Sequence, residues 1–291
     1  MNKLNEKYKI LQIKITNMTE IPLQSTYSTY VTIPSTKINK PLNKKALLVG
    51  INYNNSQYEL NGCINDVTLM KEKLIKRGFK ENNIILLTDY DVSSSKLPTK
   101  ETILNELTII LKSSKPGDLI FFHFSGHGSY VLDKNKDEID GCDEMIVTCD
   151  FKGIVDDELN KIITTNLNRE AIFVGLFDSC FSGSILDLKY TYYDSTQNNK
   201  LVVNNTYNNT NANIISISGC QDNQTSADAC FNGTYEGALT QSFLSCLNDK
   251  ENQTWKEILQ NIRSKLKSSG FSQIPQLSSG KYIDINTNLI L

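Results

Sequence analysis

The chain has 291 residues, 39% of them hydrophobic, with 30 Lys and Arg against 32 Asp and Glu and a net charge of -2, so it can bury one large core or two small ones. That balance excludes a basic nucleic-acid groove. No apolar run approaches the ~20 residues of a membrane span, and the polar start from Met1 to Lys9 has no signal-peptide core, so the expected compartment is the cytoplasm.

Residues 1–43, rich in Thr, Ser, Asn and Lys and broken by Pro22, Pro34 and Pro41, read as an N-terminal arm. From Ala46 to Ile51 an apolar run predicts a first buried strand, followed by a polar loop through Asn61-Gly62-Cys63. Val67, Met70 and Leu74 recur at helical spacing until Gly78, and Ile84 to Leu87 gives a second strand. Thr99 caps a helix whose Ile103, Leu107 and Ile110 share a face, and Asp118 to Phe124 is a third strand. After an acidic passage, Asp133 to Glu144, Met145 to Thr148 is a short β element and Asp156-Asp157-Glu158 opens a helix. Ala171 to Phe177 is a fourth strand. Lys189 to Asn213, rich in Tyr, Thr and Asn, reads as a long loop or linker. Ile214 to Ile217 supplies another strand, Ala238 to Leu247 a helix, and Thr254-Trp255-Lys256-Glu257 a capping box that starts the next. Five or six strands alternating with helices predict a three-layer α/β domain with a mainly parallel sheet.

The chemistry concentrates at two strand ends. Cys180 follows the fourth strand within Ser179-Cys180-Phe181-Ser182-Gly183, and His127 follows the third within Ser125-Gly126-His127-Gly128. A lone cysteine in such a place is ordinarily inert. The glycine flanks and a histidine on a matching segment favour a nucleophile and its base, with the amides of Gly128 and Cys180 facing an oxyanion. His123, the other of the two histidines, lies inside its strand between Phe122 and Phe124 and is expected to be a buried residue. Asp140, Asp143, Asp156, Asp157 and Asp187 form an acidic set suited to a hard cation such as Ca²⁺, although a solvated acidic loop accounts equally for any one of them. The seven cysteines, odd in number and without paired spacing, fit reduced thiols.

His123-Phe124-Ser125-Gly126-His127-Gly128 and Asp178-Ser179-Cys180-Phe181-Ser182-Gly183 resemble the histidine and cysteine boxes of metacaspases, the caspase-like cysteine peptidases of clan CD. Asp140 to Glu144, Ile154 to Leu159, Ser218 to Ala227, Gly237 to Thr240 and Ser272 to Ser278 resemble further segments of that family in the same order. The resemblance runs from about residue 44 to the C-terminus. It implies a three-layer caspase-like domain over 44–291, large-subunit-like at 44–190 and small-subunit-like at 213–291, joined by a linker at 191–212. It further implies an enzyme that cuts protein or peptide substrates after Arg or Lys, with Cys63, Asp66, Ser125 and Asp178 lining the primary pocket; a monomer is expected, because the resemblance does not imply the caspase dimer. An activating Ca²⁺ on Asp143, Asp156, Asp157 and Asp187, with Asp140 in reserve, and an arm that covers the cleft are also implied. Two departures stand out: Phe181 where the family commonly carries His, and Phe124 where Tyr is frequent. Phe181 supports the alternative of a weakly active or non-catalytic caspase-like regulator or scaffold.

Overall fold

The computed structural model describes residues 41–291 apart from 92–95, 134–140, 193–200, 205–206, 208, 221–225 and 232. The expected arm, except for its last three residues, and Asp140 lie outside the described residues. The first half runs β1 (Lys44–Gly50), α1 (Cys63–Lys76), β2 (Ile84–Thr88), α2 (Lys100–Lys112), β3 (Leu119–Ser125), β4 (Gly128–Leu132), β5 (Cys142–Val147), β6 (Gly153–Val155), α3 (Asp156–Asn166) and β7 (Ile172–Asp178). The second half runs β8 (Tyr190–Tyr192), β9 (Leu201–Val203), β10 (Asn213–Ser218), β11 (Asp228–Phe231), β12 (Thr234–Gly237), α4 (Ala238–Asp249), α5 (Trp255–Ser268) and β13 (Gln276–Ser279).

Local chemistry explains the helix starts. Thr99 accepts the Thr102 amide at the head of α2, and Thr254 and Glu257 satisfy each other's amides in a complete capping box on α5. The main sheet has eight strands in the order β2-β1-β3-β7-β10-β13-β8-β9. Strands β2, β1, β3, β7 and β10 pair in parallel, and β13, β8 and β9 continue the sheet antiparallel.

Strand alternation builds the layers. Ala46 and Leu48 of β1 pack with Val67, Met70 and Leu74 of α1 and with Phe243, Trp255 and Ile262 of α4 and α5. Leu47 and Val49 point the other way, onto Ile103 and Leu107 of α2 and Leu159 and Ile163 of α3. Two apolar faces on one sheet, each covered by helices, make the expected three layers.

One part of the expectation is corrected. The segment predicted as a loop between Lys189 and Asn213 contributes β8 and β9 to the sheet, Tyr190–Tyr192 pairing with Leu277–Ser279 and with Leu201–Val203. These strands and β13 are three or four residues long, too short to carry a readable period of two. Residues 142–147 likewise form a longer strand than the short element expected at Met145 to Thr148.

Two small sheets, β4-β5-β6 and β11-β12, stand apart from the main one. The first follows the carboxyl end of β3 and the second that of β10, the end of a parallel sheet where sites form.

Candidate active site

The ends of β3 and β7 are in register, Ser125 opposite Asp178, and the Gly126 amide donates to the Asp178 carbonyl at 3.3 Å. The two segments then run on side by side. A Cβ built on Gly128 would stand 1.9 Å from the Cys180 carbonyl oxygen, so only glycine lets the histidine segment approach the cysteine this closely. The partly buried Cys180 thiol is directed at the Ser226 carbonyl, 3.7 Å away. Burial raises its pKa above 9.0, the Ser226 carbonyl contact opposes that, and the Asp178 charge adds to it. The resting group is therefore a thiol, and attack on a carbonyl requires a base.

His127 is held by its backbone and its ring. Its amide donates to the Tyr53 hydroxyl at 2.9 Å, that hydroxyl donates to the Val147 carbonyl at 2.7 Å, and the Val147 amide returns to the His127 carbonyl at 2.9 Å. The Tyr53 ring lies 4.7 Å from the imidazole. Nε2 is 2.7 Å from the Tyr58 carbonyl. A carbonyl only accepts, so Nε2 carries the proton and Nδ1 presents a lone pair. Tyr53 itself has φ 53°, and both of its loop amides, Asn52 N and Tyr53 N, are gathered by the buried Asp89 carboxylate at 2.9 and 2.6 Å.

Beside the thiol lies a pocket of carboxylates. Asp66, fully buried on α1, accepts from the Ser125 hydroxyl at 2.6 Å and from the Gly237 amide at 2.9 Å. Asp178 accepts from Ser226 Oγ at 2.5 Å, Thr240 N at 2.8 Å and Thr240 Oγ1 at 2.9 Å. The two acids converge on Gly237, where an added Cβ would meet Asp178 Oδ2 at 2.3 Å and Asp66 Oδ2 at 2.7 Å. Burial pushes both pKa values above 3.8. The Asp178 charge pushes Asp66 up further, and Asp228 acts likewise on Asp178. Cys63 is buried in the same place, its thiol pushed well up by burial and then by Asp66. Two buried carboxylates and a buried thiol thus crowd together against the Gly237 backbone.

The acidic set is placed differently. Asp143, Asp156 and Asp187 are buried while Asp157 is exposed at the head of α3. Asp156 accepts the amides of Glu144 at 2.6 Å and Asp157 at 2.7 Å, and Ser184 donates to Glu144. Among the described residues, no three acidic, histidine or cysteine side chains stand together closely enough to hold a metal ion. The four carboxylates do not form a ready cage. His123 is buried as expected, its Nε2 3.1 Å from Thr240 Oγ1 and its pKa lowered by burial to about 3, so it stays neutral and outside the chemistry.

The profile of the metacaspase, peptidase C14 domain matches residues 44–189. Metacaspase-1 of Schizosaccharomyces pombe is 34% identical across 85% of this chain and 70% of its own length. The chain belongs to the metacaspases. The metacaspase-1 proteins of Kluyveromyces lactis and Candida albicans agree, at 36% and 35% identity over 85% of this chain and 68% and 67% of theirs. A crystal structure of a protein from Geobacter sulfurreducens shares the fold, with a TM-score of 0.60 at 24% identity over 83% of this chain and 95% of that one. The three-layer arrangement is thus the caspase-like fold, and the molecule is a cysteine-type peptidase whose substrates are proteins. No described helix is long and apolar enough to cross a membrane.

Several residues of this metacaspase's site escaped the sequence reading. Tyr53 and Tyr58 looked like ordinary loop residues. Ser226, Gly237, Thr240 and Gln273 fell inside segments that resembled the family but received no role. Gln273 donates to Ser226 Oγ at 3.1 Å and to the Gly219 carbonyl at 2.9 Å, and accepts from Ala227 N at 3.0 Å, so it holds the segment whose Ser226 carbonyl faces the thiol.

Proposed function

We propose that this metacaspase is an endopeptidase that cleaves after Arg or Lys through Cys180 and His127, acting as a monomer. The observation that carries the reading is the pair Asp66 and Asp178, both buried, both with raised pKa values and both converging on Gly237 beside the thiol. Two carboxylates held from water are offset by a guanidinium or ammonium lying between them, and they repel an acidic side chain. Cys63 and Ser125 complete the wall.

In the reaction, the Cys180 proton passes to His127 Nδ1 and the sulfur bonds to the carbonyl carbon after Arg or Lys. The amides of Gly128 and Cys180 take the developing oxyanion. His127 then gives its proton to the departing amine as the C–N bond breaks, and the thioester is hydrolysed by a water that His127 deprotonates. Tyr58, by accepting from Nε2, keeps the tautomer that this cycle needs.

Calcium activation belongs to the same proposal, with Asp143, Asp156, Asp157 and Asp187 as oxygen donors and Asp140 in reserve. Bound Ca²⁺ supplies charge that orders an acidic loop. Because the four donors are not gathered, no step of bond cleavage is routed through the ion. The free thiols at Cys63, Cys149, Cys180 and Cys246 support a reducing, cytoplasmic setting.

The test is hydrolysis of paired peptides ending in an Arg or an Asp aminocoumarin amide, with and without calcium, by the wild type and Cys180→Ala. Arg-selective turnover that Cys180→Ala abolishes is expected; equal turnover of both peptides, or turnover that survives the substitution, overturns the proposal.

A further inference from the structure

Phe181, the residue that departs from the family's pattern, has φ 50°. A bulky side chain avoids this left-handed region, and such strain collects at functional sites. Its ring meets Tyr130 edge to face, with centroids 5.2 Å apart at 71°. Tyr130 is not core: it remains 52% exposed, and Leu132, two residues further along β4, is 78% exposed.

Strand alternation sets Gly128, Tyr130 and Leu132 on one face of β4. Gly128 on that face packs against the Cys180 peptide, and Tyr130 packs against Phe181, the next residue. The aromatic pair is therefore continuous with the nucleophile. It also stands on a different wall from the carboxylates. Asp66, Asp178 and Gly237 come from α1, β7 and the end of β12, whereas Tyr130 belongs to the separate sheet β4-β5-β6.

We infer that Tyr130 and Phe181, extended by Leu132, form a subsite for an apolar side chain on the first residue after the scissile bond. The inference rests on the reading that the carboxylate pocket holds the Arg or Lys before that bond. With the cation fixed on one side of Cys180, the chain leaving the attacked carbonyl runs out over the other. There an aliphatic or aromatic side chain covers the exposed Tyr130 ring and the half-buried Phe181 ring, and a carboxylate is desolvated without a partner. His at position 181 is better suited to φ > 0 than Phe, so this chain keeps a less comfortable backbone for an apolar surface.

The experiment uses internally quenched peptides identical up to Arg and differing only in the next residue, Leu or Asp, with the wild type, Tyr130→Ala and Phe181→His. The ratio of kcat/KM for Leu over Asp is taken within each protein, so a general loss of activity cancels. The wild-type ratio is expected to be about tenfold or more, and to fall severalfold in both variants. A flat wild-type ratio, or one that neither variant changes, overturns the subsite. An Arg aminocoumarin amide, which has no residue after the cut, reads the carboxylate pocket separately: if it is cleaved while the ratio is flat, only the subsite is wrong, and if none of the substrates is cleaved, both readings fall.

Discussion

Gly128 and Cys180 touch backbone to backbone, with no space for a side chain between them: a Cβ at 128 would lie 1.9 Å from the Cys180 carbonyl oxygen and 2.9 Å from its carbon. Both are backbone atoms, so a substitution is accommodated only by separating the segments that carry the histidine and the thiol. Gly128→Ala should reduce kcat by about a hundredfold, the cost of roughly 1 Å of misplacement, with a smaller effect on KM. Steady-state kinetics on an Arg aminocoumarin peptide decides it; a kcat within twofold of the wild type would show that the contact relaxes harmlessly.

The acidic pocket trades stability for recognition. A carboxyl whose folded pKa is raised contributes stability that is fully present below its ordinary 3.8 and is lost as pH rises through the folded value, so at neutral pH Asp66 and Asp178 both weaken the fold. The charges of Asp228 and Glu236 add to the effect. Asp66→Asn keeps an oxygen for Ser125 and Gly237 and removes one charge. It should raise the Tm at pH 7 by about 2–4 °C and flatten the gain in stability on acidification, while weakening binding of the substrate cation by about 2–5 kcal/mol. Melting curves from pH 4 to 8 beside kinetics test both halves; a lower Tm at pH 7 contradicts the first.

A wild-type corollary needs no variant. A guanidinium entering between Asp66 and Asp178 lowers their raised pKa values, so protons leave as it binds. Calorimetric titration with an arginine-ended peptide aldehyde in buffers of different ionisation enthalpy should give proton release that grows as pH falls toward the folded pKa values. Release independent of pH speaks against the pair as the cation site.

Tyr53→Phe tests whether the histidine depends on its neighbour's hydroxyl. The change strips a partner from both the His127 amide and the Val147 carbonyl, and each group so orphaned in a buried position costs about 1–3 kcal/mol. The ring contact at 4.7 Å survives. Expected is a kcat lower by about tenfold with KM little changed. Unaltered kinetics with a lowered Tm would leave Tyr53 as a packing residue alone.

How far the sequence speaks depends on the distance over which each feature is determined. Strands β1, β3 and β7 are seven residues long and mostly apolar and declare themselves, as do the caps at Thr99 and Thr254, which are local chemistry. Strand β8 lies on the edge of β13, more than 80 residues on, and β9 in turn on the edge of β8. Cys180 and His127 were visible through their small flanking residues. Asp66 looked like an ordinary helix-start charge, because its burial is imposed by Gly237, 171 residues away in sequence. The Tyr58 carbonyl that orients the imidazole leaves no side-chain signature at all.

The proposed calcium activation makes the most specific demand on the acidic residues. Asp143, Asp156 and Asp187 are already buried, yet no three acidic groups among the described residues are gathered for an ion, and Asp156 spends both oxygens on the amides of Glu144 and Asp157. On that proposal, binding draws the segment from 142 to 157 toward Asp187 and spends part of the ion's binding energy on the rearrangement. Affinity should accordingly fall at the weak end for oxygen sites, about 10⁻⁴–10⁻³ M. Calcium at several millimolar should raise the Tm of the Cys180→Ala protein by linkage and slow amide hydrogen exchange over 142–157 and 184–189, where magnesium does neither. Asp156→Asn should lose both responses, and its melting temperature without calcium measures separately what the two amide bonds contribute. A Tm and exchange pattern indifferent to calcium in the unsubstituted acidic set would remove the ion from the proposal and leave the acidic residues as the structural frame of the β5 to α3 turn.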